Sequence, residues 1–200
     1  MDNDSAAWKI PIGLQRLKAV NCLTIREIIA WPSNNYEITT EGRLLFRVKE
    51  ESAAFSGLLG SRRSFNMNIY DSGQQLVAKL RRPYTFRCSK VEVTIGGTVT
   101  SVVRVVHTYR KRVLSINDGV DQPMLRVKRS APVDSIPTYE VQTLEKEQIG
   151  CIRKQRIGWK REMKDARELH LTFPQILNVH LKAAVICASL LVNIIDYDWD

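Results

Sequence analysis

The chain has 200 residues, of which 44% are hydrophobic and 26% are charged. This length and apolar content are enough for one buried core, and they exclude a disordered chain. The excess of 30 Lys and Arg over 21 Asp and Glu gives a net charge of +9. Such a charge favours an anionic partner, either lipid headgroups or nucleic acid, without choosing between them.

The termini and cysteines indicate an intracellular protein. Four cysteines are far apart and form no CxxC pair, which predicts neither a zinc site nor a disulfide framework and is typical of a reducing compartment. The N-terminus lacks the basic start and apolar core of a secretory signal, so we expect the protein to stay in the cytosol. We predict a short tail over residues 1–13 and one folded domain over residues 14–200.

The first predicted element is a helix within residues 11–29. Apolar residues recur there at a helical spacing, and the pattern ends before Trp31 and Pro32. Residues 35–157 then change to short segments with period-two alternation, such as Phe65, Met67 and Ile69. Turn sequences separate these segments, namely Asp71-Ser72-Gly73, Gly96-Gly97 and Asn117-Asp118-Gly119. About ten strands joined by hairpins are predicted.

The last predicted element is an apolar helix over residues 177–195. Its apolar side chains lie on several faces, as in a helix that is enclosed on all sides. They include Leu177, Val179, Ala184, Val185, Ala188, Leu191 and Ile194. The uncharged stretch is shorter than the ~20 residues of a membrane span, so a core helix is favoured over a span. We therefore predict a mainly β protein, a closed antiparallel barrel or a sandwich, with this helix covered by the strands.

Four blocks in order resemble the phospholipid scramblase family. The first is Asn34-Asn35-Tyr36-Glu37-Ile38 with Gly42 and Glu50-Glu51-Ser52, and the second, RSFNMNIYDSGQQLVAKLRRP at residues 63–83, is the most specific. The third spans residues 139–162, and the fourth is the Phe-Pro entry and apolar helix of residues 173–198. The resemblance covers residues 14–198.

The resemblance implies a fold related to the tubby C-terminal domain, a twelve-stranded barrel around a hydrophobic helix. It also implies energy-independent movement of phospholipids between membrane leaflets, with an anionic phospholipid membrane as the partner and protein partners possible in addition. The expected location is the cytoplasmic face of the plasma membrane or of an organelle, with the nucleus as an alternative. A lipid-binding or nuclear adaptor that has lost transport is the second hypothesis.

The resemblance also points to an acylation site and a calcium loop, and the sequence departs from both. Many members carry a palmitoylated cysteine cluster where this chain has Cys88 alone, and one acyl chain gives marginal anchoring. The calcium segment matches residues 165–176, with Asp165 and Glu168 as candidate ligands. Arg167 stands at an oxygen-donor position, which disfavours calcium. We expect an ordinary exposed turn there, and calcium as a cofactor is doubtful.

A basic tract is the strongest candidate for contact with an anion. It consists of Arg153, Lys154, Arg156, Lys160 and Arg161, and the family can carry a nuclear import signal at this place. The residues themselves leave a solvated strand face, lipid headgroup contact and import or nucleic-acid contact open, with nucleic acid the least favoured. Weaker basic groups occur at residues 110–112 and 126–129.

The sequence gives little support to an enzyme. The three histidines are far from one another and from any nucleophile motif, and no HExxH or P-loop is present. We expect lipid translocation without covalent chemistry.

Overall fold

A computed structural model describes residues 10–30, 33–51, 64–83, 90–107, 112–130, 136–157 and 166–195. A short helix α1 (Ile12–Gln15) runs into a 3-10 turn (Arg16–Ala19). The first six strands are β1 (Cys22–Ala30), β2 (Ser33–Thr40), β3 (Arg43–Glu51), β4 (Phe65–Asp71), β5 (Leu76–Arg82) and β6 (Lys90–Ile95). The next six are β7 (Thr98–His107), β8 (Arg112–Asp118), β9 (Pro123–Arg129), β10 (Thr138–Gln142), β11 (Gln148–Ile157) and β12 (Ala166–Thr172). The final element is helix α2 (Val179–Ile195).

The twelve strands form one closed antiparallel barrel. Each strand pairs with its neighbours in sequence, and β1 closes the sheet by pairing with β12 from Cys22↔Thr172 to Arg26↔Glu168. Closure leaves no sheet edge exposed for pairing with other chains. The barrel confirms the predicted fold class, and β2 to β11 confirm the ten strands that the alternating pattern predicted.

The predicted N-terminal helix is confirmed only in its first turns. Helical structure ends at Ala19, and Cys22–Ala30 forms β1 instead. Leu23, Ile25 and Glu27 alternate inward along this strand, so a glutamate occupies a position where the period-two pattern calls for an apolar residue. Hydrogen bonding to β2 and β12 on both sides outweighs the weak helical spacing of this segment.

The core of the protein is the barrel interior with α2 inside it. Inward-facing strand residues such as Ile38, Val93, Ile116 and Ile152 have no exposed surface. They surround α2, whose described side chains from Lys182 to Ile194 are all buried. A 17-residue helix is about 25 Å long, which matches the height of strands of this length.

The two ends of the barrel differ. At one end, which we call the turn end, tight turns follow β2, β4, β6, β8 and β10. Asp71 and Asp118 cap two of them, each accepting two backbone N–H bonds at 2.9–3.0 Å. A residue with positive φ completes the β4–β5, β8–β9 and β10–β11 turns, at Gln74, Asp121 and Lys146. The segments after β1, β3, β5, β7, β9 and β11 leave from the opposite end, which we call the rim end.

Candidate functional site

Helix α2 is held inside the barrel from its first residue. The side chain of Asn178 accepts the backbone N–H of Leu181 at 2.9 Å, which satisfies one of the free donors at the helix start. Of the helix positions predicted from sequence, Val179, Ala184, Val185, Ala188, Leu191 and Ile194 are buried. Leu177 lies before the helix in a turn and is half-buried, so the helix begins two residues later than predicted. The enclosed helix confirms the barrel core.

Lys182 is a buried cation at the turn end of the barrel. Its ammonium donates to the carbonyls of Leu17 at 2.8 Å, Val20 at 2.7 Å and Gln175 at 3.0 Å, and it lies 3.3 Å from the carbonyl of Lys18. The Phe173 ring lies 5.3 Å from the same nitrogen. Burial lowers the pKa of Lys182, while the carbonyls at the end of the 3-10 turn favour its charged form.

Two further polar groups lie along the enclosed helix. Ser189 donates to the carbonyl of Val185 at 2.8 Å, and the Asn193 amide lies 3.4 Å from the Glu27 carboxylate. Asn193 and Glu27 are both buried, near the rim end. Burial also lowers the pKa of His180, near the start of the helix. Asn193 connects α2 to the wall through Glu27, whereas the Ser189 bond lies within the helix.

The predicted basic tract lies on β11 at the rim end. Arg153 is exposed on the outer face, opposite Thr138 on β10 and His170 on β12. Lys154 is half-buried and in phase with the inward-facing Ile152. Arg156 lies near the end of the strand, opposite Arg167. Lys160 and Arg161 lie outside the described residues, so their part of the tract stays a prediction.

The weaker basic group on β9 joins this tract in space. Lys128 and Arg129 end β9, and β10 alone separates β9 from β11. We therefore define the basic rim as Lys128, Arg129, Arg153, Lys154, Arg156 and Arg167. These six cations come from three strands, β9, β11 and β12, which the barrel brings together. Their grouping follows from the strand order, which no single region of the sequence indicates.

The segment proposed for calcium forms a strand over most of its length. Residues 166–172 are β12, and an exposed turn was the wrong expectation for them, because β1 and β11 hydrogen-bond to both sides. Glu168 lies 3.6 Å from Arg26 and 3.7 Å from His170. Asp165 lies outside the described residues. Within the residues that the structure describes, no three His, Cys, Asp or Glu side chains are grouped to hold a metal ion.

The three cysteines in the described part of the chain form no shared site. Cys88, the candidate for acylation, lies outside the described residues. Cys22 and Cys151 are half-buried on either side of Thr172, whose hydroxyl lies 3.2 Å from the Cys151 sulfur. Cys187 is buried in α2, and burial raises the pKa of its thiol far above the ordinary range. A thiol of this kind is unreactive.

A small cavity opens on the outer wall beside β1, β2 and β12. Its volume is about 190 Å³. The lining residues are Cys22, Leu23, Thr24, Thr40, Glu41, His170, Leu171 and Thr172. Pockets that enclose drug-sized ligands have volumes of about 300–1,000 Å³, so this cavity cannot enclose a phospholipid.

No described helix has the length and apolar character needed to cross a membrane. This holds for the part of the chain that the structure describes.

Comparison with known proteins gives a consistent result. A model of the family described as Scramblase matches residues 11–199. Phospholipid scramblase 1 of Rattus norvegicus is 26% identical over 212 aligned positions, which cover 94% of this chain and 63% of that protein. The Mus musculus protein of the same name is also 26% identical, with 94% of this chain and 64% of that protein covered. The chain thus spans less than two thirds of these relatives. No solved structure matches it.

Proposed function

Because the chain belongs to the scramblase family, we propose that it mediates energy-independent, bidirectional movement of phospholipids between membrane leaflets. The observation that carries this proposal is the extent of the family match, which includes every strand of the barrel and the enclosed helix. No covalent step is needed, since the activity consists of lowering the barrier for a polar headgroup to cross the hydrocarbon layer.

The geometry limits which parts of the protein can contact lipid. Helix α2 uses its apolar side chains to fill the barrel, so they are not available to lipid while the barrel is closed. The basic rim supplies cations that attract anionic headgroups, each worth about 1 kcal/mol near a membrane surface. We place the protein on the cytoplasmic face of a membrane, with Cys88 as the candidate for acylation and without a requirement for calcium.

Reconstitution tests the proposal directly. The purified protein is incorporated into vesicles that contain a fluorescent phospholipid in both leaflets, and an impermeant quencher is added outside. Scrambling exposes the inner-leaflet lipid, so the quenched fraction should rise beyond the half reached with protein-free vesicles. Quenching that stops at the same half, with and without calcium, would refute transport.

A lipid-binding adaptor without transport is the second candidate. The observation that favours it is the enclosure of α2, because a helix committed to the barrel core contributes nothing to disturbing a bilayer. The same vesicles discriminate between the two functions. An adaptor binds them and leaves the inner leaflet protected, whereas a scramblase binds them and exposes it.

A further inference from the structure

The basic rim concentrates cations on neighbouring strand ends. β9 ends with Lys128 and Arg129, β11 carries Arg153, Lys154 and Arg156, and β12 begins with Ala166 and Arg167. Lys128 and Arg153 face outward, whereas Arg129 and Lys154 follow the inward-facing phase of Val127 and Ile152. The rim therefore presents positive charge on both sides of the wall and not as a single solvated face.

The strand register adds two further arginines to this end of the wall. Arg156 on β11 pairs with Arg167 on β12 through the backbone. The next residue of β12, Glu168, lies 3.6 Å from Arg26 and 3.7 Å from His170.

Arg129 provides the direct sign of an anion. Its Nε atom is buried and has no hydrogen-bond acceptor among the described residues. Buried donors of this kind are uncommon, because an unsatisfied buried donor is destabilising, and more so when the group is charged. A guanidinium donates in a planar fork that fits phosphate oxygens. A phosphate at the rim would accept from this donor.

We propose that the basic rim binds the phosphate groups of anionic phospholipids, so that the barrel docks on the bilayer by its rim end. This inference rests on the proposed function and adds the lipid class and the orientation. Charge at the opposite end supports the orientation. The turns there carry six acidic residues, namely Glu41, Asp71, Asp118, Asp121, Glu145 and Glu147. Arg16, Lys18, Arg43 and Lys146 lie at the same end and offset much of this charge, so an anionic surface favours the rim because cations are concentrated there.

The pairing of β11 argues for a lipid over an import receptor as the occupant. β11 is hydrogen-bonded to β10 on one side and to β12 on the other. A receptor that reads a basic tract as an extended peptide needs access to its backbone, which this strand does not offer while the barrel is intact. Headgroup phosphates need only the side chains.

A pair of charge-matched variants tests the proposal. The rim variant replaces Arg129, Arg153 and Arg156 by Gln. The control variant replaces the exposed Arg16, Lys18 and Arg43, near the turn end, by Gln. Each variant lowers the net charge of +9 by three. Binding is measured by co-sedimentation with phosphatidylcholine vesicles that contain or lack phosphatidylserine, after melting curves show that both variants fold.

The rim variant should lose affinity for phosphatidylserine vesicles by roughly 100-fold, while the control should change less than about threefold. Equal losses would overturn the proposal, because net charge alone would then explain binding. A second outcome would also overturn the proposal. If inorganic phosphate raised the melting temperature of the wild type as much as vesicles do, the ligand would be a soluble phosphate. The proposal would also be overturned if the rim variant kept its vesicle binding and lost binding to an import receptor.

If the rim variant should fail to fold, Arg153→Gln alone, on the outer face, is compared with Arg43→Gln. A loss confined to Arg153→Gln supports the rim, and equal behaviour overturns it. Failure of the proposed function is distinguishable: rim-dependent binding without any exposure of inner-leaflet lipid refutes transport and retains the docking site. Transport by the wild type with rim-independent binding refutes the docking site and retains transport.

Discussion

Lys182 joins three parts of the chain that meet at the turn end of the barrel. Its ammonium contacts carbonyls of the 3-10 turn, of the residue that leads into β1, and of the turn before α2. The side chain has no exposed surface. A charge in such a place is tolerated because carbonyl oxygens replace its hydration shell. The lysine therefore fixes where the enclosed helix begins relative to the N-terminal segment.

Replacing Lys182 by Met should destabilise the protein by about 1–3 kcal/mol. Methionine fills a similar volume but leaves several buried carbonyls without a donor. Urea denaturation followed by circular dichroism measures the loss. Lys18→Met is the matched control, because that side chain is exposed on the 3-10 turn. Similar stability of the two variants would show that the Lys182 contacts contribute little.

His180 should make stability depend on pH. Burial lowers its pKa in the folded protein below the ordinary value of 6.5. The unfolded chain then binds the proton more tightly, so stability is constant above pH 6.5 and falls as the pH drops through that value towards the folded pKa, by at most about 1.4 kcal/mol per pH unit.

Denaturation at a series of pH values between 8 and about 5 checks this dependence, within the range where histidine titrates. His180→Gln should remove much of the slope, and His170→Gln, on the outer wall, should keep it. An unchanged slope in His180→Gln would assign the pH dependence to other groups.

At the residue scale, the sequence predicted which charged residues form the basic tract, but it did not predict the contacts of Lys182. Arg153, Lys154 and Arg156 stand out as a tract, and the strand places them together. Lys182 gave no such signal, because a lysine at the start of an apolar helix usually marks the point where the helix leaves the core. Its carbonyl partners lie more than 160 residues away for Leu17 and Val20, and no local pattern encodes them.

At the scale of elements, the enclosure of helix α2 predicts how a substitution inside the barrel affects stability. Ala188 has no exposed surface inside the barrel. Ala188→Asp would bury an unpaired charge and should destabilise the fold by about 3–5 kcal/mol, enough to unfold a domain of ordinary stability. Circular dichroism and thermal melting measure the effect. Ala19→Asp, at an exposed position of the 3-10 turn, should cost less than about 1 kcal/mol.

Loss of strand signal in Ala188→Asp is the expected result. Native strand circular dichroism with an unchanged melting temperature would instead mean that the barrel does not need α2 as its core, and the architecture would be refuted.

The elements also explain which parts of the fold the sequence could predict. The strands between tight turns are predictable, because the turn residues and the period-two alternation are both local signals. The segment of β1 has a helical spacing and Glu27 at an inward position, so only its pairing with β2 and β12 makes it a strand. β12 lies where the family resemblance implies a calcium loop, and its pairing with β1 and β11 makes it a strand instead.

Calcium should have little effect on this protein. The segment that corresponds to the calcium loop is built into β12, where Glu168 lies near Arg26 and His170. We expect millimolar calcium to leave the melting temperature unchanged. Thermal melting checks this, and isothermal titration calorimetry measures binding directly, with magnesium as the control ion. A calcium site with a dissociation constant below ~10⁻⁴ M, tighter than weak extracellular sites, would contradict it.

For the whole molecule, the net charge of +9 predicts salt-dependent membrane binding. The Debye length shrinks from about 30 Å at 0.01 M to about 3 Å at 1 M ionic strength, so binding to anionic vesicles should weaken steadily over that range. Co-sedimentation at increasing salt measures it, with neutral vesicles as the control. Equal binding to neutral and anionic vesicles at low salt would rule out headgroup electrostatics.

The chain order of the barrel and its helix has a consequence for biosynthesis. α2 follows all twelve strands in sequence, and β1 closes the sheet only by pairing with β12. During translation the walls therefore emerge from the ribosome before the segment that fills them, with apolar inner faces uncovered. Closure also joins residues about 150 positions apart, and such distant pairing is slow. We expect the nascent protein to depend on chaperones until its last helix has been made.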